Sequence, residues 1–263
     1  MTSLSTQSTS PDETKSRVRQ FWEDEPCGSV HGEAPEGTRE YFDQVERTRY
    51  ELEPVIGSFA DFAGSSGKRV LEIGVGLGTD FVRFARAGAK VTGIDLTEHA
   101  VSLVRDRLAL EGLEGDVRVG DAENLPFEDA SFDRVYSWGV LHHTPDTERA
   151  VREAIRVVRP GGDLCVMLYS RHSWVAYGLW VKFALLRGRL GLSLADILAE
   201  HMESEGTKGY TKRELRAMFG ELESLCVEKV GTPYDRRFAG PVARLTAPWL
   251  GWFSVIRGTK RPV

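Results

Sequence analysis

The chain has 263 residues, 41% of them hydrophobic and 28% charged, and a net charge of −5 at pH 7. That suits one large soluble domain or a core with a cap, and it excludes collagen-like and globally disordered classes. The charge is uneven: residues 1–170 carry 19 Lys and Arg against 30 Asp and Glu (−11), and residues 171–263 carry 15 against 9 (+6). This argues against a nucleic-acid binder working over its whole surface and leaves room for an anionic partner at the C-terminal end.

Residues 1–16 hold nine Ser or Thr and no apolar run, which reads as a disordered leader without a secretory signal. Cys27, Cys165 and Cys226 lie far apart and match no zinc spacing, so reduced thiols in a cytoplasmic protein are expected. Residues 17–63 read as an N-terminal helical lid. It contains the pair Phe21-Trp22, a turn-rich patch from Pro26-Cys27-Gly28 to Gly37, and a helical pattern over 38–62 that carries Tyr41-Phe42 and Tyr50.

After the linker Gly64-Ser65-Ser66-Gly67 the texture changes to alternating strands and helices. Strands are predicted at 69–73, 90–94, 116–119, 132–137 and 163–169, with helices at 79–87 and 98–111. A further helix begins with Thr144 as N-cap and Pro145 at its first position, and stops at Arg159-Pro160-Gly161-Gly162. This pattern predicts βαβ units and a doubly wound parallel sheet over 64–169. Residues 170–222 have helical texture and read as a cap. Closing strands at 225–230 and 252–256, within 223–263, flank a Pro-rich segment. The longest apolar stretch, 174–186, is thirteen residues interrupted by Lys182. A bilayer span needs about 20.

The segment Val70-Leu71-Glu72-Ile73-Gly74-Val75-Gly76-Leu77-Gly78 is a strand running into a glycine-rich turn and then a helix. Glycine lets a ligand approach the main chain closely, and a helix start offers unpaired N–H groups. Asp95 follows 21 residues after Gly74, at the end of the next strand, where a carboxylate can accept ribose hydroxyls. A dinucleotide or S-adenosylmethionine (SAM) would both suit this layout. The dinucleotide fingerprint G-x-G-x-x-G wants a glycine where Thr79 stands, so the pyrophosphate reading loses ground.

The stretches 70–80 and 91–96, Gly120-Asp121-Ala122-Glu123-Asn124-Leu125-Pro126-Phe127, and Arg159-Pro160-Gly161-Gly162 resemble successive motifs of the class I SAM-dependent methyltransferases. The match is nearest the small-molecule branch that includes the ubiquinone and menaquinone enzymes. The resemblance spans roughly 60–170. It implies a Rossmann-like seven-stranded sheet whose last strand is antiparallel. It also implies that Gly74, Gly76 and Gly78 approach the methionyl part of SAM, that Asp95 holds the ribose, and that Leu96 lies on the adenine face. Asp121 would accept the adenine amino group and Ala122 N–H would bond a ring nitrogen, with Trp138 beside the cofactor. Glu72 is expected to orient the glycine loop.

The loop Ser137-Trp138-Gly139-Val140-Leu141-His142-His143-Thr144-Pro145-Asp146 resembles the family's loop facing the transferred methyl. Neighbours on an extended segment point opposite ways, so His142 is expected in the pocket as the base and His143 as the loop pin, with Tyr169 or His172 next in line. Imidazole ordinarily titrates near pH ~6.5. The His pair has no further zinc ligands nearby. A thiol relay of the arsenite-methyltransferase kind finds no cysteine in this loop. Trp22, Tyr41, Arg171 and His172 are the acceptor-contact candidates. The aromatic stretch around Trp174, Tyr177 and Trp180, punctuated by Lys182, Arg187 and Arg189, leaves three readings open: a lid over a lipophilic or anionic acceptor, a membrane-surface helix, or core or homodimer packing.

The expectation is a SAM-dependent methyltransferase acting on a small molecule, without a nucleic-acid partner or a membrane span. An NAD-type oxidoreductase, an RNA or protein methyltransferase, and a non-catalytic SAM-binding protein are the alternatives. Positioning can supply ~7–11 kcal/mol of such a displacement.

Overall fold

The structure, a computed structural model, describes residues 10–262. Of the expected leader 1–16, residues 1–9 lie outside the described residues, and the remainder belongs to a capped helix. Helix α1 (Pro11–Asp24) starts on a capping box: Ser10 Oγ accepts from Glu13 N–H at 3.2 Å, and the Glu13 carboxylate accepts from Ser10 N–H at 2.9 Å. Pro11, at the first helical position, needs no N–H donor there. The helical pattern expected over 38–62 divides into α2 (Arg39–Leu52) and α3 (Val55–Ala60). Pro54 makes the break by driving Glu53 out of helical geometry (φ −129°, ψ 57°).

The alternating core follows as β1 (Arg69–Ile73), α4 (Thr79–Arg86), β2 (Lys90–Asp95), α5 (Glu98–Glu111), β3 (Asp116–Val119), β4 (Phe132–Trp138), α6 (Thr147–Val157) and β5 (Val158–Tyr169). The cap is α7 (Trp174–Phe183), α8 (Leu194–His201) and α9 (Lys212–Met218). Strand β6 (Leu222–Val230) leads into α10 (Pro233–Ala239), α11 (Val242–Leu250) and β7 (Phe253–Lys260). The Pro-rich segment between the closing strands is therefore helical.

All seven strands form one sheet in the order β3-β2-β1-β4-β5-β7-β6; β7 runs antiparallel to both neighbours and the remaining pairs are parallel. This is the expected doubly wound sheet. Strand order reverses between β1 and β4, so the crevice outside their carboxyl ends is the natural ligand position. Successive residues of a strand face opposite layers. Val70 and Tyr136 pack on one face with Phe81, while Leu71 and Val135 pack on the other with Ile155.

Several boundaries differ from expectation: the closing strands run over Leu222–Val230 and Phe253–Lys260 rather than 225–230 and 252–256. Asp146, not Thr144, caps α6 by accepting Arg149 N–H at 2.9 Å; the Thr144 hydroxyl turns back to Leu141 O at 2.8 Å. Strand β5 begins at Val158 rather than 163, because Arg159-Pro160-Gly161-Gly162 is absorbed as an irregularity in its pairing with β4. Among the described residues no helix is long and apolar enough to cross a membrane.

Helix α2 is fastened to the core by a buried cation. The Arg107 side chain is fully buried, pairs with Glu46 of α2, and lies with its guanidinium 5.1 Å from the Phe42 ring centre. It also reaches Glu111, Leu77 O and Thr79 Oγ1, each at 3.3 Å. Glu46 further pairs with Arg83 at 3.0 Å and Arg86 at 2.9 Å. Removing Arg107 leaves Glu46 and Glu111 with only the half-exposed Arg83 and Arg86 as partners, and leaves a void under Phe42. Arg107→Ala is expected to lower the unfolding free energy by about 3 kcal/mol, read by urea denaturation. A loss below ~1 kcal/mol, typical of exposed pairs, would show that the network is solvated.

Candidate active site

The glycine loop is built by the end of β2. Ile94 O accepts from Gly74 N–H at 2.8 Å and Val75 N–H at 3.2 Å, and Asp95 Oδ2 accepts from Gly76 N–H at 3.0 Å. Gly74 and Gly76 have φ of +80° and +50°, the left-handed region that disfavours a side chain. A Cβ at Gly74 would lie 2.2 Å from Val140 Cγ2. At Gly76 it would project toward open space, meeting first Cys27 Cβ at 3.9 Å. Gly78 does not line the cavity, contrary to expectation: it caps α4 and backs onto Val104, which a Cβ would meet at 2.9 Å.

In front of this loop lies a cavity of about 730 Å³, closed by α1, the cap and the closing strands. Its floor is acidic. Asp95 also accepts from Thr97 N–H at 3.1 Å and from the Thr97 hydroxyl at 2.8 Å, and burial raises its pKa. Glu72 is buried, and its Oε2 has no hydrogen-bond partner; burial, then neighbouring Asp80, pushes its pKa well up. Asp80 is itself saturated by the Tyr50 and Tyr136 hydroxyls at 2.7 and 2.8 Å and by Arg49 at 2.9 Å. An unsatisfied buried carboxyl beside a backbone cradle suits a ligand that brings positive charge and hydrogen-bond donors. These residues fit the amino acid end of SAM, with its ammonium and sulfonium charges.

Leu96, Asp121, Ala122 and Trp138 line the same cavity. Asp121 is already engaged. Its Oδ1 accepts from Glu123 N–H at 2.9 Å, and its Oδ2 accepts from Lys15 Nζ at 2.7 Å. Lys15 also donates to Glu123 at 2.6 Å, which fastens α1 over this end of the cavity. Trp138 Nε1–H donates to Glu53 Oε2 at 2.7 Å.

The histidines exchange their expected places. Residues Leu141–His143 form a 3₁₀ turn, not an extended segment, so the two rings lie on related sides, 4.3 Å apart. His142 is fully buried and off the cavity, its ring tilted over Tyr169 at 3.9 Å with both nitrogens unpartnered. His143 lines the cavity, with Trp22 edge-on at 5.2 Å. Its Nδ1 meets Ser204 Oγ at 2.8 Å and Thr207 Oγ1 at 3.0 Å. The Thr207 hydroxyl donates to Ser204 O at 2.6 Å, so toward His143 it can only accept. With its hydrogen on Nδ1, His143 donates toward both hydroxyls and leaves the Nε2 lone pair free. Burial, then Lys208, holds the His143 pKa down to about 3, not near its ordinary value, and His142 is likewise held well below it.

Tyr169 lines the cavity, stacks on Trp252 at 4.2 Å, and donates to Glu203 at 3.2 Å. Burial raises the pKa of both Glu53 and Glu203. Three acceptor-contact candidates lie elsewhere. Tyr41 packs with Phe42, Val45, Leu77 and Leu103, as the inward face of α2. Arg171 pairs with Glu214 at 3.0 Å and donates to Gly209 O, bracing the cap. His172 leaves the cavity edge and meets the Tyr177 hydroxyl at 3.0 Å. Sequence reasoning missed Lys15, Glu53, Glu203, Ser204 and Thr207. Only Lys15 had a local signal, the Ser10-x-x-Glu13 capping box ahead of it.

The depressed His143 pKa has a stability consequence. Below pH ~6.5 the unfolded chain binds a proton at this position that the folded chain refuses until about pH 3. The stabilisation is complete above pH ~6.5 and is lost as pH falls through that window. Between pH 6.5 and 5.5 wild-type stability should therefore fall more steeply than that of His143→Gln, by about 1 kcal/mol. Equal slopes in urea titrations at the two pH values would refute the burial assignment.

Residues 71–166 match a family model described as a methyltransferase domain. Methyltransferase GfsG of Streptomyces halstedii is 40% identical over 105 residues, which cover 39% of this chain and 38% of that one. Phthiotriol/phenolphthiotriol dimycocerosates methyltransferase 1 of Mycobacterium ulcerans is 37% identical over 146 residues, covering 55% and 49%. The chain thus spans half or less of the length of these relatives. Among solved structures, the [4+2]-cyclase SpnF superposes with a TM-score of 0.61 at 20% identity, covering 95% of this chain and 97% of that one, a likeness of fold. Residues 71–166 of the chain thus carry a methyltransferase domain.

Proposed function

We propose that the protein transfers a methyl group from SAM to a lipophilic small-molecule acceptor, and that His143 is the group against the acceptor's nucleophile. The reading is carried by one observation: a single cavity runs from the glycine loop, Glu72 and Asp95 to His143, Tyr169 and Trp252. The acceptor end has apolar walls, from Trp22, Val175, Leu179, Met202 and Phe253. Burying such walls against a ligand favours apolar surface at about 25 cal/mol per Å². A cavity lined by Glu53, Glu72, Asp95 and Glu203 also disfavours a phosphodiester chain, which supports a small molecule over nucleic acid.

When bound, SAM supplies a methyl group already activated by the positive sulfonium. The chain's own task is then alignment and exclusion of water. Glu72 and Asp95 hold and orient at the glycine loop. Trp22 and Tyr169 cover the opposite side. His143 Nε2 presents a lone pair, and Ser204 and Thr207 hold the ring so that it does not swing away. With its pKa near 3, His143 cannot ionise a hydroxyl beforehand. It can take the proton late, once bond formation makes that proton strongly acidic.

Calorimetric titration with SAM and S-adenosylhomocysteine, followed by a labelled-methyl screen over phenols, quinols and lipid alcohols, tests the reading. Asp95→Ala should weaken SAM binding at least about tenfold, because charge-assisted hydrogen bonds and the loop anchor are lost together. His143→Ala should lower turnover of the acceptor found by ~10²–10⁴-fold while S-adenosylhomocysteine affinity stays within about twofold. His142→Ala should act mainly on stability. SAM binding without transfer to any class of acceptor would reject the activity and keep the binding domain. Tighter binding of NAD than of SAM would reject both.

A further inference from the structure

The outer faces of the helices around the cavity mouth are apolar where a water-facing helix is normally polar. On α7 and the 3₁₀ turn after it, Tyr177, Val181 and Leu185 recur every fourth residue and are all exposed; on α11, Val242, Leu245 and Trp249 are exposed at helical spacing. Leu186 is 76% exposed, Leu245 77% and Trp249 70%. The helices adjoin. Trp174 Nε1–H donates to Thr246 Oγ1 at 2.7 Å, joining α7 to α11. Phe238 of α10 packs so closely on Gly178 of α7 that a Cβ there would lie 2.0 Å from its ring.

Charge on this surface has one sign. Residues 174–192 and 233–251 contain six cations, Lys182, Arg187, Arg189, Arg236, Arg237 and Arg244, all exposed. Their one acid, Asp235, is fully buried. Arg189 lies 3.5 Å from Glu200; the other five form no ion pair among the described residues. Lys182, Arg237 and Phe238 line the cavity as well, so the patch is continuous with the cavity mouth.

We propose that α7, the Leu185–Leu190 turn after it, and α10–α11 form a docking surface for an anionic lipid bilayer. Apolar side chains that project between cations match an interface where hydrocarbon lies under negative headgroups. The arginine stems can lie along the apolar layer while their heads stay at the phosphates. A second copy of the chain fits poorly, since apposing this face with itself brings like charges together. The surface stands on its own, whether or not the methyl-transfer reading holds.

The test is cosedimentation of the full chain with vesicles of phosphatidylcholine alone and of equimolar phosphatidylcholine and phosphatidylglycerol. Binding is expected to the anionic vesicles and to be at least about tenfold weaker to the neutral ones. Arg187→Ser and Arg244→Ser should each weaken it about fivefold, and the pair Leu245→Asp with Trp249→Asp should abolish it. All four side chains are solvent-exposed, and an unchanged urea midpoint verifies that the variants are folded. Failure to bind either vesicle overturns the proposal. So does binding that ignores these substitutions, or a dimer in light scattering that Leu245→Asp dissolves.

Discussion

Three hydrogen bonds accepted by the end of β2 govern what the glycine loop can bind. Ile94 O and the Asp95 carboxylate take up the N–H groups of Gly74, Val75 and Gly76, and Gly78 N–H turns inward to Val75 O at 2.8 Å. A phosphate-binding turn works the other way, by aiming a run of free N–H groups at an anion. Here those four donors are spent, and the polar group left over nearby is the unpaired Glu72 carboxyl. The loop therefore offers close backbone approach and negative charge, which disfavours pyrophosphate and favours a cation. A spacing argument that turned on Thr79 acquires an electrostatic reason.

Burial then sets the charge state of the rest. The acids Glu53, Glu72, Asp95 and Glu203 have raised pKa values, and both histidines have lowered ones. Each shift disfavours an isolated charge in a site with little water. Glu72 can ionise at lower cost once a positive ligand arrives. His143 is the converse case. It stays neutral throughout the physiological range and so keeps a lone pair on one ring nitrogen. The Nδ1–H tautomer that frees this lone pair depends on Ser204 and Thr207, contributed by the cap. Cap and core therefore make one site.

What the sequence revealed follows from the range of each interaction. Alternating apolar runs and glycine turns report local geometry, so the succession of strands and helices, the loop and the position of Asp95 were legible. The His pair was misread because the inference assumed an extended backbone, and a 3₁₀ turn rotates neighbouring side chains differently. Tyr41 was misplaced because an aromatic on an amphipathic helix looks the same whether it faces a cavity or Leu77 and Leu103. Ser204 and Thr207 reach His143 from more than sixty residues away in the chain, and no local pattern predicts that contact. Lys15 is a different case: the Ser- and Thr-rich texture of 1–16 suggested disorder, although Ser10 and Glu13 are a helix start.

The uneven charge of the chain has a spatial counterpart. The acidic half builds five of the seven strands, the glycine loop and most of the cavity floor, and much of its surface charge is paired through networks such as Glu46 with Arg83, Arg86 and Arg107. The basic half supplies the cap and closing helices, where 174–192 and 233–251 hold six of the fifteen cations beyond residue 170 and one buried acid. Potential thus runs from positive at the mouth, at Lys182 and Arg237, to acidic at the glycine loop. Positive charge of the cofactor is favoured at the floor, and negative charge is favoured at the rim. An acceptor of the proposed kind gains most when its apolar body fills the aromatic end and any anionic group stays at the rim. That orientation brings the buried part of the molecule, and the nucleophile on it, to His143.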